Sequence, residues 1–123
     1  MQLAEISGTI LNEESSPAAL RAALDSFSEI CSEVSGVVPN ASFDAWAEDS
    51  FLESGVAINP SAAAHCVKDY RRSVVFIRGV YAAINHAIDE FPNQKIRILY
   101  AGSGPYATLL LPLLQKFSPE QLE

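Results

Sequence analysis

Positive charge is scarce in this chain. Its 123 residues carry eight Lys and Arg against fifteen Asp and Glu, a formal net charge of −7 with a pI near 4.7. Apart from Arg71-Arg72, the basic residues are scattered. Nucleic-acid binding needs clustered cations facing phosphates, so nucleic acid is excluded as a primary partner. Cysteine is rarer still. Cys31 and Cys66 are too few for a disulfide scaffold and lack metal-site spacing. They read as two reduced, buried thiols in a cytosolic protein. No apolar run approaches the ~20 residues of a membrane span. The N-terminus lacks a basic region followed by an apolar core, so the expectation is no signal peptide, no membrane and a cytoplasmic location. Histidine occurs twice, at His65 and His86. On one straight helix they stand ~31 Å apart and cannot share a ligand.

Apolar residues are plentiful, at 49%. That supports a packed core in one modest domain. Leu3, Ile6 and Ile10-Leu11 suit a short helix or packing arm, interrupted by Gly8 and Asn12. The first clear helix opens at Ser16-Pro17, a capping hydroxyl followed by a proline whose missing N–H costs nothing there. Leu20, Leu24, Phe27, Ile30, Cys31 and Val34 recur at three and four, making one apolar stripe. Gly36 and Pro39 end it. A second helix is expected from Phe43 to Leu52, capped by Ser42, with Trp46 in the core and Asp44, Glu48 and Asp49 on a solvated face. A third, long helix is expected from Pro60 to Phe91, with a weak point at Gly79 and a stop at Pro92.

Lys95 to Phe117 carries the strongest local signal. Ile96 to Ala101 reads as a short strand. The chain then turns on Gly102-Ser103-Gly104 and continues as a helix over Pro105 to Phe117, bent by Pro112. A strand, a glycine turn and a helix in that order make a phosphate- or nucleoside-binding corner.

Ile98-Leu99-Tyr100-Ala101-Gly102-Ser103-Gly104-Pro105 resembles motif I of the class I S-adenosylmethionine-dependent methyltransferases, an apolar strand, an acidic residue and Gly-x-Gly-x-Gly. The resemblance covers about Ile96 to Leu114. Tyr100 stands where the family places Asp or Glu, and Tyr106 where a third glycine is common. The resemblance implies S-adenosylmethionine as cofactor, held by Tyr100, Ala101, Gly102, Ser103, Gly104 and Tyr106. The implied fold is mainly α: a helical N-terminal region over 1–92, then over 93–123 one β-strand and helix, the first βα unit of a Rossmann-like α/β methyltransferase fold. The family's sheet has about seven strands, so the expectation is the N-terminal part of a longer methyltransferase acting on a small molecule, not catalytically complete in this chain. A lone strand also implies self-association, with Ile96 to Ala101 pairing across an axis or with a missing C-terminal part.

Two other readings stay open. Gly102-x-Gly104-x-x-Ala107 fits the fingerprint of a dinucleotide-binding protein. The glycine turn is otherwise purely structural, in a non-catalytic helical interaction or dimerisation module. For the substrate, Tyr70, Arg71 and Arg78 are the candidates. The two arginines are seven apart on one helix face, where a guanidinium can hold a carboxylate in a bidentate pair. Salt bridges to Asp69, Asp89 or an acid on the second helix would occupy them otherwise. His65, Cys66 and Asp69 form a metal trio only on paper, because no second cluster accompanies them. No metal site and no catalytic residue is assigned. Ser103 lacks the flanks of a nucleophile elbow.

Overall fold

The computed structural model describes residues 1–40, 50–53, 55–57 and 59–123, with burial and side-chain surroundings for 1–40, 53 and 59–123. Helix α1 spans Leu3–Leu11 and runs through Gly8 without a break. The Gln2 amide donates to the Glu5 carboxylate at 2.8 Å, closing its first turn. Helix α2 spans Pro17–Ser35. Ser16 caps it, accepting from the Ala19 amide, and Gly36 ends it at φ 71°. Ala23, Leu24, Phe27 and Cys31 form its buried face; the last three belong to the stripe that the three-and-four spacing marks, whose Leu20 and Ile30 are half-buried. Val34 departs from that stripe and is 84% exposed.

Most of the expected second helix, with its Ser42 cap and Trp46, lies outside the described residues. Its end is described and is not helical. Ser50–Leu52 (β1) pairs antiparallel with Gly55–Ala57 (β2), Phe51 opposite Val56.

The expected long helix is broken. Helix α3 spans Pro60–His65, with Asn59 Oδ1 accepting from the Ser61 and Ala62 amides. A 3₁₀ turn covers Cys66–Lys68, and helix α4 spans Tyr70–Glu90. The break falls at Asp69, which leaves helical dihedrals (ψ 73°) and caps α4 by accepting from the Arg72 amide. Aspartate competes for backbone amides inside a helix and does better as a cap. Gly79, the expected weak point, lies within an uninterrupted α4.

The C-terminal part corrects the expected fold class. No βα unit forms over 93–123. Residues 95–101 are not a strand. Ile96 makes one isolated parallel bridge with Leu122. The Ile96 and Ile98 amides donate to the carbonyls of Gln121 (2.8 Å) and Glu123 (3.0 Å) of the same chain, so the backbone groups expected to pair across an axis are engaged internally on that side. Residues 101–110 follow as turns, and a 3₁₀ helix over Leu111–Lys116 stands where an α-helix is expected. Pro112 supplies the reason, because it lacks an N–H and its ring crowds the carbonyl four residues back. The architecture is mainly helical, without a Rossmann-like sheet among the described residues.

The core gathers Ile6 and Ile10 from α1, Leu24 and Phe27 from α2, Ile77 from α4, and Leu113, all at 0% exposure. Each such side chain contributes roughly 1.5–3 kcal/mol through burial. Tyr106 enters the same core at 2% exposure, its ring edge-on to Phe27 with centroids 6.5 Å apart. Ser7 is buried beneath the 3₁₀ segment. Its hydroxyl donates to the Pro112 carbonyl and accepts from the Gln115 amide.

Candidate functional site

Two open grooves flank α4. The larger encloses about 530 Å³ between the start of α2, the 3₁₀ turn and the first half of α4. Its walls are Pro17, Leu20, Val74 and Val75. Its cations are Arg21, Lys68, Arg71 and Arg78. Half of the eight basic residues of this acidic chain therefore meet at one apolar groove. Helical spacing explains part of the set: residues 71, 74, 75 and 78 share one side of α4. The chain brings Arg21 and Lys68 to it from two other elements.

All three expected substrate residues, Tyr70, Arg71 and Arg78, line this groove, but they do different work. Arg78 is committed to structure. Its Nε donates to the Ile10 carbonyl at 2.7 Å and its Nη2 to the Asn12 carbonyl at 2.8 Å, closing the C-terminal end of α1. Tyr70 donates its hydroxyl to Asp25 Oδ1 at 2.8 Å. Lys68 Nζ meets the same oxygen at 2.5 Å. The Arg21 guanidinium lies 5.1 Å from the Tyr70 ring centroid, within cation–π range. Arg71 is exposed and makes no hydrogen bond or ion pair with a described residue. Among the described residues the salt bridge expected for it from Asp69 or Asp89 is not formed, and the acids of the expected second helix lie outside those residues.

The charges around Asp25 reinforce one another. Burial pushes its carboxyl up, but the hydrogen bonds from Lys68 and Tyr70 and the positive charges of Lys68 and Arg21 outweigh that and hold it below the usual aspartate value. The hydrogen bond to Asp25 raises Lys68 despite some desolvation. The same bond, helped by burial, raises the Tyr70 phenol. All three groups move away from neutral pH. A general acid or base needs the opposite, a value drawn toward the working pH. The cluster is therefore set for fixed charge. With Asp25 and Asp69 counted against the four cations, the groove keeps a surplus of positive charge.

The second groove encloses about 350 Å³. Tyr100, Gly102, Ser103 and Gly104 line it together with Cys66 and Phe76, so four of the six expected cofactor residues share one concavity. Ala101 is exposed and does not line it. Tyr106 is in the core, its hydroxyl donating to the Val37 carbonyl. The glycines take left-handed dihedrals, φ 69° at Gly102 and 65° at Gly104. A Cβ at Gly102 would meet no described residue within 4 Å. Glycine is required there by the turn and not by a close approach. S-adenosylmethionine does not fit the loop in the manner the motif implies, because the strand that would lead into it and the helix that would follow are both missing.

Cys31 is buried and its thiol is pushed up by desolvation, whereas Cys66 is exposed, against the expectation of two buried thiols. His65, Cys66 and Asp69 are not brought together: among the described residues no group of three or more His, Cys, Asp and Glu is placed to hold an ion. Among them too, no helix is long and apolar enough to cross a membrane. Compared with family models, curated proteins and solved structures, the chain finds no match.

Proposed function

We propose that this chain is a non-catalytic helical binding module that takes an organic anion with an apolar body in the groove between α2 and α4. One observation carries the reading: four of eight cations in a chain of net charge −7 surround a single apolar-walled groove. Its volume of about 530 Å³ falls in the range of small-molecule sites, ~300–1,000 Å³. The apolar body would lie on Leu20, Val74 and Val75. The anionic head would meet Arg71, whose guanidinium is uncommitted, with Arg21 beside it on the Tyr70 ring. Bidentate pairing with arginine favours a carboxylate or phosphate head. The directions of the shifted groups, Asp25 down and Lys68 and Tyr70 up, support binding over proton transfer.

Methyl transfer draws no support from this geometry, because the βα frame it depends on is absent. The test is a calorimetric titration of the full chain with decanoate and decyl phosphate below their micellar concentrations and with decanol below its solubility limit. Decanoate or decyl phosphate should bind, decanol at least about tenfold more weakly, and Arg71→Ala should weaken the anions by a similar factor, on the order of 1.4 kcal/mol. Equal affinity for decanol would sink the anion reading. Saturable binding of S-adenosylmethionine would reinstate the methyltransferase expectation.

A further inference from the structure

From the second groove, whose lining includes Arg72 and Phe76, a ridge of exposed residues runs along α4 toward its C-terminal end. Arg72, Phe76, Gly79, Ala83, His86 and Glu90 are all exposed. At ~100° per residue they fall within an arc of about 80°, and they extend over ~27 Å of helix. Phe76 is 52% exposed, a large aromatic surface for water to cover. A Cβ at Gly79 would meet no described residue within 4 Å, so no described side chain fills the centre of the ridge.

The order of these residues is self-complementary in one orientation. When a second α4 is laid antiparallel about a two-fold axis near residue 81, Arg72 faces Glu90, Phe76 faces His86, and Gly79 faces Ala83. Each pairing occurs twice, as an isologous contact demands. Opposite charges meet at both ends, aromatic rings meet inside them, and the smallest side chains meet at the crossing, where axes can approach to ~8 Å. A parallel pair would instead set Arg72 on Arg72 and Glu90 on Glu90.

We infer that the partner for this ridge is a second copy of the chain, bound as a reversible antiparallel α4–α4 dimer. The inference is independent of the anion groove, which lies on the neighbouring side of the helix. The ridge alone is narrow, so the dimer belongs at or below the small end of specific interfaces, ~1,200 Å² in total.

The experiment is sedimentation equilibrium of the full chain, from about 10 μM to about 1 mM. Wild type should show a reversible monomer–dimer equilibrium. Gly79→Lys should weaken it at least about tenfold, with far-UV circular dichroism unchanged or strengthened, because glycine is the poorest ordinary helix former. Gly79→Ala should keep the dimer. Arg72→Glu and Glu90→Arg should each weaken self-association. Mixed in equal amounts, those two variants should form a heterodimer near wild-type affinity, since a glutamate of the first then faces an arginine of the second at both ends. A monomer throughout, or a dimer indifferent to Gly79→Lys, overturns the inference. A mixture that stays monomeric overturns the antiparallel register.

Discussion

Tyr106 separates the observed fold from the expected one, and its contribution can be dissected. Its ring is 2% exposed against Phe27, and its hydroxyl reaches the Val37 carbonyl just beyond α2. Tyr106→Phe keeps the ring and removes one hydrogen bond, at a cost of about 1 kcal/mol. Tyr106→Ala also removes the ring and opens a cavity, at a cost of about 4 kcal/mol. For a chain of this length each kcal/mol lowers Tm by roughly 4 °C, so the two variants should melt about 4 °C and about 15 °C below wild type. Urea unfolding monitored by circular dichroism measures both, and the difference of about 3 kcal/mol isolates the ring. Were Tyr106 a surface residue of a cofactor loop, truncation would cost well under 1 kcal/mol. A Tyr106→Ala cost of that size would refute the packing of residues 101–110 against α2.

Two further outcomes follow from the larger groove. Asp25→Asn should cost about 1 kcal/mol or less near neutral pH, because the Asp25 and Lys68 side chains are 36% and 34% exposed and water screens them. The lowered Asp25 carboxyl stabilises the fold above its ordinary value near 4, and that contribution is lost as pH falls through the depressed folded value. Raised Lys68 and Tyr70 stabilise below about 10, and lose their contribution as pH rises through their folded values. The gap between wild type and Asp25→Asn should thus be widest between about pH 5 and about pH 9; a gap unchanged at pH 2 argues against the cluster. Arg78→Met removes two charge-assisted bonds to the carbonyls of Ile10 and Asn12 and should cost about 2 kcal/mol. Hydrogen exchange should quicken first in α1, and unchanged α1 protection would show that Arg78 does not anchor it.

Local chemistry was legible in the residues alone. Ser16-Pro17 and Gly36 mark the ends of α2, because a cap hydroxyl, a proline φ and a left-handed glycine act within one turn of chain. The apolar stripe from Leu20 to Val34 announces most of the buried face for the same reason, with Val34 the exception. The Gly102-Ser103-Gly104 turn is also real, and both glycines take positive φ. Arg71 and Arg78 line one groove, as their seven-residue spacing on a helix implies.

Tertiary structure decided the rest. Whether Ile96 to Ala101 is a strand depends on partners, since a strand has no hydrogen bonds of its own. Its amides found Gln121 and Glu123, two short contacts in place of a sheet. Asp69 could equally sit inside a helix or cap one, and the packing of Val67 and Val74 into one core accompanies the second choice. Arg21, Asp25 and Lys68 meet across more than 40 residues of chain. No periodicity encodes that meeting. Sequence alone determined both ends of α2, the helix start at Pro60 and the stop before Pro92, because those signals are settled within a turn or two. Only the fold determined what the helices bring together, because charge, burial and backbone pairing are settled by whichever distant residues arrive beside them.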